Sequence, residues 1–260
     1  MLLEEYLDHL QEIEPTTAAG IVIGSMTFLM IVGGPILQAH MLVKTSKRHK
    51  VLEKKLKDIL QDGRDWKIYI MKEKLPNAGI LSEKPEIFVT SGLFKYVTDR
   101  EVMAILLHEV GHIRGFHATK QGWSTAILVS PAIAAATTTL FNTATLVASA
   151  LAPLAVMAIL FTSHMIMLPM SRSHEYKADE HTIRYGYGKD LASALKKMIK
   201  VHQKGHSKLS KKIASYLDPH PTVERRVANI LLHASTIKLI LKNTLTKSDV
   251  VKHLAKLWKG

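Results

Sequence analysis

The 260-residue chain contains no cysteine, which excludes disulfides and thiolate-held metal and leaves His, Asp and Glu as the candidate ligands for any ion. It has no lysine or arginine before residue 44, although 35 follow. It also lacks Asp, Glu, Lys and Arg altogether over residues 15–43 and 121–171, runs of 29 and 51 residues. A membrane crossing takes about 20 residues, so the first run suffices for one helix and the second for two. An Ala/Thr-rich hairpin that stops short of crossing is the alternative for the second run, since Thr137, Thr138, Thr139 and Thr145 lower its hydrophobicity. A secretory signal is excluded, because the leading segment is acidic and the apolar run behind it is too long.

What charge there is has a side. The leader carries Glu4, Glu5, Asp8, Glu12 and Glu14, whereas the segment after the first run opens with Lys44, Lys47, Arg48 and Lys50. By the positive-inside rule, the N-terminus lies outside and the polar remainder is cytoplasmic, in an integral cell (inner) membrane protein of about three transmembrane helices. The net charge of +13 then suits a surface beside anionic lipid headgroups, or one that is merely solvated. Nucleic acid is not an expected partner, because no motif interleaves basic and aromatic residues.

Leu106-Leu107-His108-Glu109-Val110-Gly111-His112 places two histidines four apart in an apolar run of helical spacing. On a helix His108 and His112 share a face and can converge on one divalent ion, while Glu109 is offset. Zinc hydrolysis needs that division: two neutral nitrogen ligands, and a carboxylate that stays off the metal and takes a proton from the attacking water. Thr98-Asp99-Arg100-Glu101 reads as the capping box that starts this helix. A third ligand is offered by Glu175, with Asp179 one turn later on the same face to hold a ligating imidazole from behind.

The motif His108–His112, the later Ser171-Arg172-Ser173-His174-Glu175-Tyr176-Lys177-Ala178-Asp179, and His220-Pro221 with Arg226 six residues after the histidine resemble the integral-membrane zinc metallopeptidases. That family is typified by the heat-shock protease HtpX, the CAAX prenyl proteases and the mitochondrial overlapping-activity protease. The resemblance spans most of residues 76–227. It implies one Zn2+ per chain, an oxyanion-stabilising role for His220 and Arg226, and substrate pairing at Asn77 and Ala78. Gly79 stands where the family usually has an aromatic residue. Quality control of membrane proteins or unfolded polypeptides is the function implied. The CAAX-processing branch fits less well, because three spans are too few for its intramembrane chamber, and a catalytically idle zinc module is the other alternative.

The expected fold is mainly α with a small β-sheet: a zincin-like (gluzincin) catalytic domain divided by a membrane hairpin. Residues 1–16 form an amphipathic leader and 17–43 the first span. Residues 44–120 hold the first part of the catalytic domain, 121–171 the hairpin, and 172–260 the second part with basic C-terminal helices. The hairpin must cross an even number of times, or Glu175 would emerge on the wrong side of the bilayer from His108 and His112. Residues 66–70 and 86–90 are candidate strands, with Asn77 to Leu81 as an edge strand. His117, His164, His174 and His181 are given surface, capping or packing roles.

Overall fold

The structure is a computed structural model that describes residues 14–81, 84–143, 146–202 and 216–241. The amphipathic leader and the last of the C-terminal helices lie outside these residues. The chain divides into two compact units, one from Met1–Met41 with Ala118–Met170, the other from Leu42–His117 with Ser171–Gly260.

The first unit is helical. It holds most of α1 (Pro15–Thr45), α5 (His117–Thr143) and the leading part of α6 (Leu146–Arg184), and a stretch of each is long and apolar enough to cross a membrane. Helix α1 runs on through Pro35, α5 ends at Thr143 and α6 begins at Leu146. A Cβ on Gly24 would stand 2.7 Å from that of Ala134, so α1 and α5 touch through small residues. The Phe28 and Trp123 rings meet edge to face with centroids 5.4 Å apart.

The second unit is built on a four-stranded sheet of order β1-β2-β4-β3, formed by Lys47–Arg48, Lys67–Met71, Ala78–Ile80 and Glu86–Thr90 in chain order. Strands β2 and β4 are parallel; β1 and β3 flank them antiparallel. The registers align Ile68 with Ile87 and Ile80, and Ile70 with Val89 and Ala78, giving the sheet one apolar face. Against it pack α2 (Lys50–Leu60), through Leu52, Leu56 and Leu60, the short α3 (Leu93–Tyr96), through Leu93, and α4 (Asp99–Arg114). The periodicity of residues 46–60 predicts a lysine-rich amphipathic helix over that whole stretch, but the helix begins only at Lys50. Lys47 and Arg48 pair with β2 instead, and His49 caps α2 by accepting from the Leu52 N–H at 3.3 Å.

Helix α4 lies at the centre of this unit, with residues 101–111 buried on every side. Its N-terminus has the expected capping box: the Thr98 N–H donates to Glu101 at 2.7 Å and the Glu101 N–H to the Thr98 hydroxyl at 3.3 Å. Glu101 also accepts from Ser193 (2.6 Å) and Lys197 (2.7 Å) of α7 (Gly188–His202), joining two helices far apart in sequence. Burial raises the Glu101 pKa, but these donors outweigh it and bring it down to about 2. A carboxylate with a depressed pKa stabilises the fold above its unfolded value of about 4.5, and that contribution is lost as the pH falls towards 2. Glu101→Gln should therefore cost about 1–2 kcal/mol at neutral pH, with the gap to wild type closing between about pH 4.5 and 2. Thermal unfolding across that range is the measurement.

Candidate metal centre

Two helices bring the site together. The motif of α4 presents His108 and His112 on one face, and the last third of α6 presents Glu175 and Asp179, one turn apart. Gly111 lets them meet. A Cβ there would stand 2.8 Å from the Ala178 Cα, so only glycine opposite alanine allows the backbones this close. An internal helical glycine costs about 1 kcal/mol relative to alanine, and here it is what puts the carboxylate within reach of the imidazoles.

The His108 and His112 Nε2 atoms are 3.1 Å apart, and Glu175 places its carboxylate oxygens 3.5 Å from the first and 3.3 Å from the second. Donors about 2.0–2.1 Å from a tetrahedral zinc stand roughly 3.3 Å from one another. Each separation is close to that edge, the two from Glu175 being made by its two different oxygens, and the donor set, two imidazoles and a carboxylate, is one zinc accepts. The Glu175 Oε2 atom is buried, 2.7 Å from Arg226 Nη1 and 3.5 Å from His108 Nε2. The residues fit the ion.

Behind the ligands is a charged layer. Asp179 is wholly buried, and its Oδ1 accepts from His108 Nδ1 at 2.9 Å, which leaves Nε2 facing the ligand cluster. Arg226, on α8 (Val223–Leu241), donates to both Asp179 oxygens at 2.6 and 3.0 Å and places Nη1 2.7 Å from Glu175. With 6% of its surface exposed, Arg226 lies behind the ligands, its guanidinium taken up by the two carboxylates. Burial acts to lower its pKa, but Asp179, Glu175 and Glu109 raise it further, so it stays charged. His220 is the open member: its side chain is 60% exposed, with Nδ1 2.9 Å from Glu175. That hydrogen bond raises the His220 pKa against the effect of burial.

Burial and the Arg226 charge lower the His108 pKa, yet Asp179 and Glu175 outweigh them and lift it to about 9. A proton and a divalent cation compete for this ring, so metal uptake releases a proton. Glu109, next along α4, is buried and outside the group of ligands.

Asn77 and Ala78 belong to a separate element. Strand β3 is at the sheet edge and packs on α4. The Thr90 N–H donates to the Asn77 carbonyl and the Leu81 N–H to that of Glu86. By the alternation of an antiparallel ladder, Ala78 and Ile80 then turn their backbone groups away from β4, towards the edge. The Asn77 Oδ1 atom accepts from the Ala78 N–H at 2.9 Å, fixing the start of the strand. Gly79 is explained by its neighbour: a Cβ there would stand 2.6 Å from the Phe88 ring, which covers the position from β4.

Three contributors are not legible as such in the sequence: Gly111, Gly115 and His117. His117, given a surface, capping or packing role above, is buried with its Nδ1 3.0 Å from that of His112. The two glycines could have been suspected, since glycine inside a helical pattern signals a close approach.

The fold has a solved counterpart. A crystal structure of Ste24p from S. mikatae aligns over 80% of this chain and 65% of its own, at a TM-score of 0.55 and 20% identity. Among curated proteins, a protease HtpX homolog of Campylobacter concisus (strain 13826) is 30% identical over 151 residues, 51% of this chain and 50% of the relative. One from Sulfurovum sp. (strain NBC37-1) is 32% identical over 143 residues, half of each chain. The chain spans about half the length of the curated relatives it matches. Residues 43–233 match peptidase family M48, and with that match covering most of its length the chain belongs to this family.

Proposed function

We propose that this protein is a membrane-embedded, zinc-dependent endopeptidase. The observation that carries the reading is the set of donor separations, 3.1, 3.3 and 3.5 Å, among His108, His112 and Glu175. When bound, zinc polarises the scissile carbonyl and makes water acidic enough to attack near neutral pH. Glu109 accepts the proton of the attacking water and delivers it to the nitrogen of the leaving amine as the C–N bond breaks. His220, exposed at the rim, donates to the oxyanion that forms at the carbonyl oxygen. Asp179 orients His108, and Arg226 holds Asp179 and Glu175 in place.

Substrates are extended segments of membrane or unfolded proteins. An edge such as that of Ala78 and Ile80 binds a peptide through its main chain and so accepts many sequences, which suits quality control. The catalytic unit faces the cytoplasm, the N-terminus lies outside the cell (inner) membrane, and the basic surface sits against anionic lipid headgroups.

Detergent-solubilised protein should cleave unfolded casein, lose that activity to a chelator and regain it on addition of zinc. Persistence of cleavage in chelator, with metal analysis showing the protein stripped, would remove zinc from the reaction.

A further inference from the structure

We infer that His117 is a positioning residue for the metal ligand His112, receiving the proton of its Nδ1 and so turning its Nε2 towards the cation. The inference rests on the zinc reading of the site. The two ligand imidazoles are supported differently. His108 has the buried carboxylate of Asp179 at 2.9 Å. Among the described residues no carboxylate takes that position at His112; its Nδ1 faces the Nδ1 of His117 at 3.0 Å. Only one proton fits between two ring nitrogens. An imidazole that gives its Nε2 lone pair to a metal carries its proton on Nδ1, so His112 donates and His117 accepts. His117 is thereby held as the tautomer protonated on Nε2.

The local chain is shaped for this contact. Helix α4 ends at Arg114, and Phe116, directly before His117, takes a left-handed conformation (φ 52°) that ordinary residues seldom adopt. The His117 ring lies over Gly115, where an added Cβ would collide with its Nε2 and Cδ2. The ring's other support is His174, stacked on it with centroids 4.2 Å apart and planes 3° from parallel. Both rings are buried. His174 directly precedes Glu175, so one stack ties the backing of the second ligand to the segment that carries the third.

Full-length protein in detergent, stripped with chelator and titrated with zinc against a chromophoric competitor, tests this without recourse to activity. His117→Phe should keep a stoichiometry of one zinc per chain and bind it about 10–100-fold more weakly, as is typical when the group holding a ligand imidazole is lost. His117→Asn, whose amide oxygen can accept where Nδ1 did, should recover much of that loss. Gly115→Ala, which displaces the ring and touches no ligand, should weaken binding as His117→Phe does. Wild-type affinity in His117→Phe overturns the inference. Should that variant not fold, wild-type affinity in Gly115→Ala overturns it equally. Failure of the wild type itself to take up zinc overturns the reading of the site, and is seen before any variant is made.

Discussion

Glu109→Gln is expected to retain a full equivalent of zinc and to slow hydrolysis by about 10²–10⁴-fold, the usual range for loss of a general acid–base group. Glutamine keeps the length and shape of the side chain but cannot take up a proton at neutral pH. Glu109 is one residue from His108 along α4 and stands outside the cluster of His108, His112 and Glu175, so its loss leaves the ligand set whole. Glu175→Gln should behave in the opposite order, losing the anionic ligand and hence the zinc, with activity following the metal. Metal analysis beside the rate of casein cleavage separates the two variants. Wild-type cleavage by Glu109→Gln would end the proton-transfer role. A zinc-loaded wild type with no activity on any unfolded substrate would favour a metal-binding module without catalysis.

Arg226→Met should destabilise the protein by about 3–5 kcal/mol, the typical cost of removing one partner from a buried ion pair. The guanidinium is the shared counter-charge of Asp179 and Glu175, which are 0% and 5% exposed, and its fork donates to both Asp179 oxygens at once. Methionine fills similar space and removes the permanent positive charge the two carboxylates share. Arg226→Lys should recover only part of the loss, because an ammonium lacks the planar fork. Zinc and Arg226 both offset the charge of Glu175, so the defect should be larger in chelator than with zinc present. Unfolding midpoints of the two variants in both conditions measure this, and a midpoint unchanged from wild type would show that the pairing contributes nothing.

Local patterns in the sequence translated directly into structure. The alternation at residues 66–70 and 86–90 became β2 and β4, and Thr98 with Glu101 became the capping box of α4, because side-chain period and capping depend on neighbours a few residues away. The short β1 pairing escaped notice for the converse reason. Lys47 and Arg48 have no strand pattern of their own and are held by a partner, β2, more than 20 residues on. The contact between His117 and His112 was hidden for a related reason. Five residues after His112 it would be out of line on a continuing helix, and only the left-handed turn at Phe116 brings its ring back.

The sequence by itself determined the chemistry available: no thiol, two histidines on one helical face, a glutamate beside them, and apolar runs long enough for three crossings. Residue types and short spacings state that much, because they fix which atoms exist and which share a helix face. Only the tertiary structure decided how those atoms meet. Gly111 against Ala178 drew Glu175 onto the histidines, Arg226 was turned inward to two carboxylates, and the His117 ring came to rest against that of His112. The first two of these depend on contacts between segments 47 to 67 residues apart, where close packing rather than local preference selects the partner.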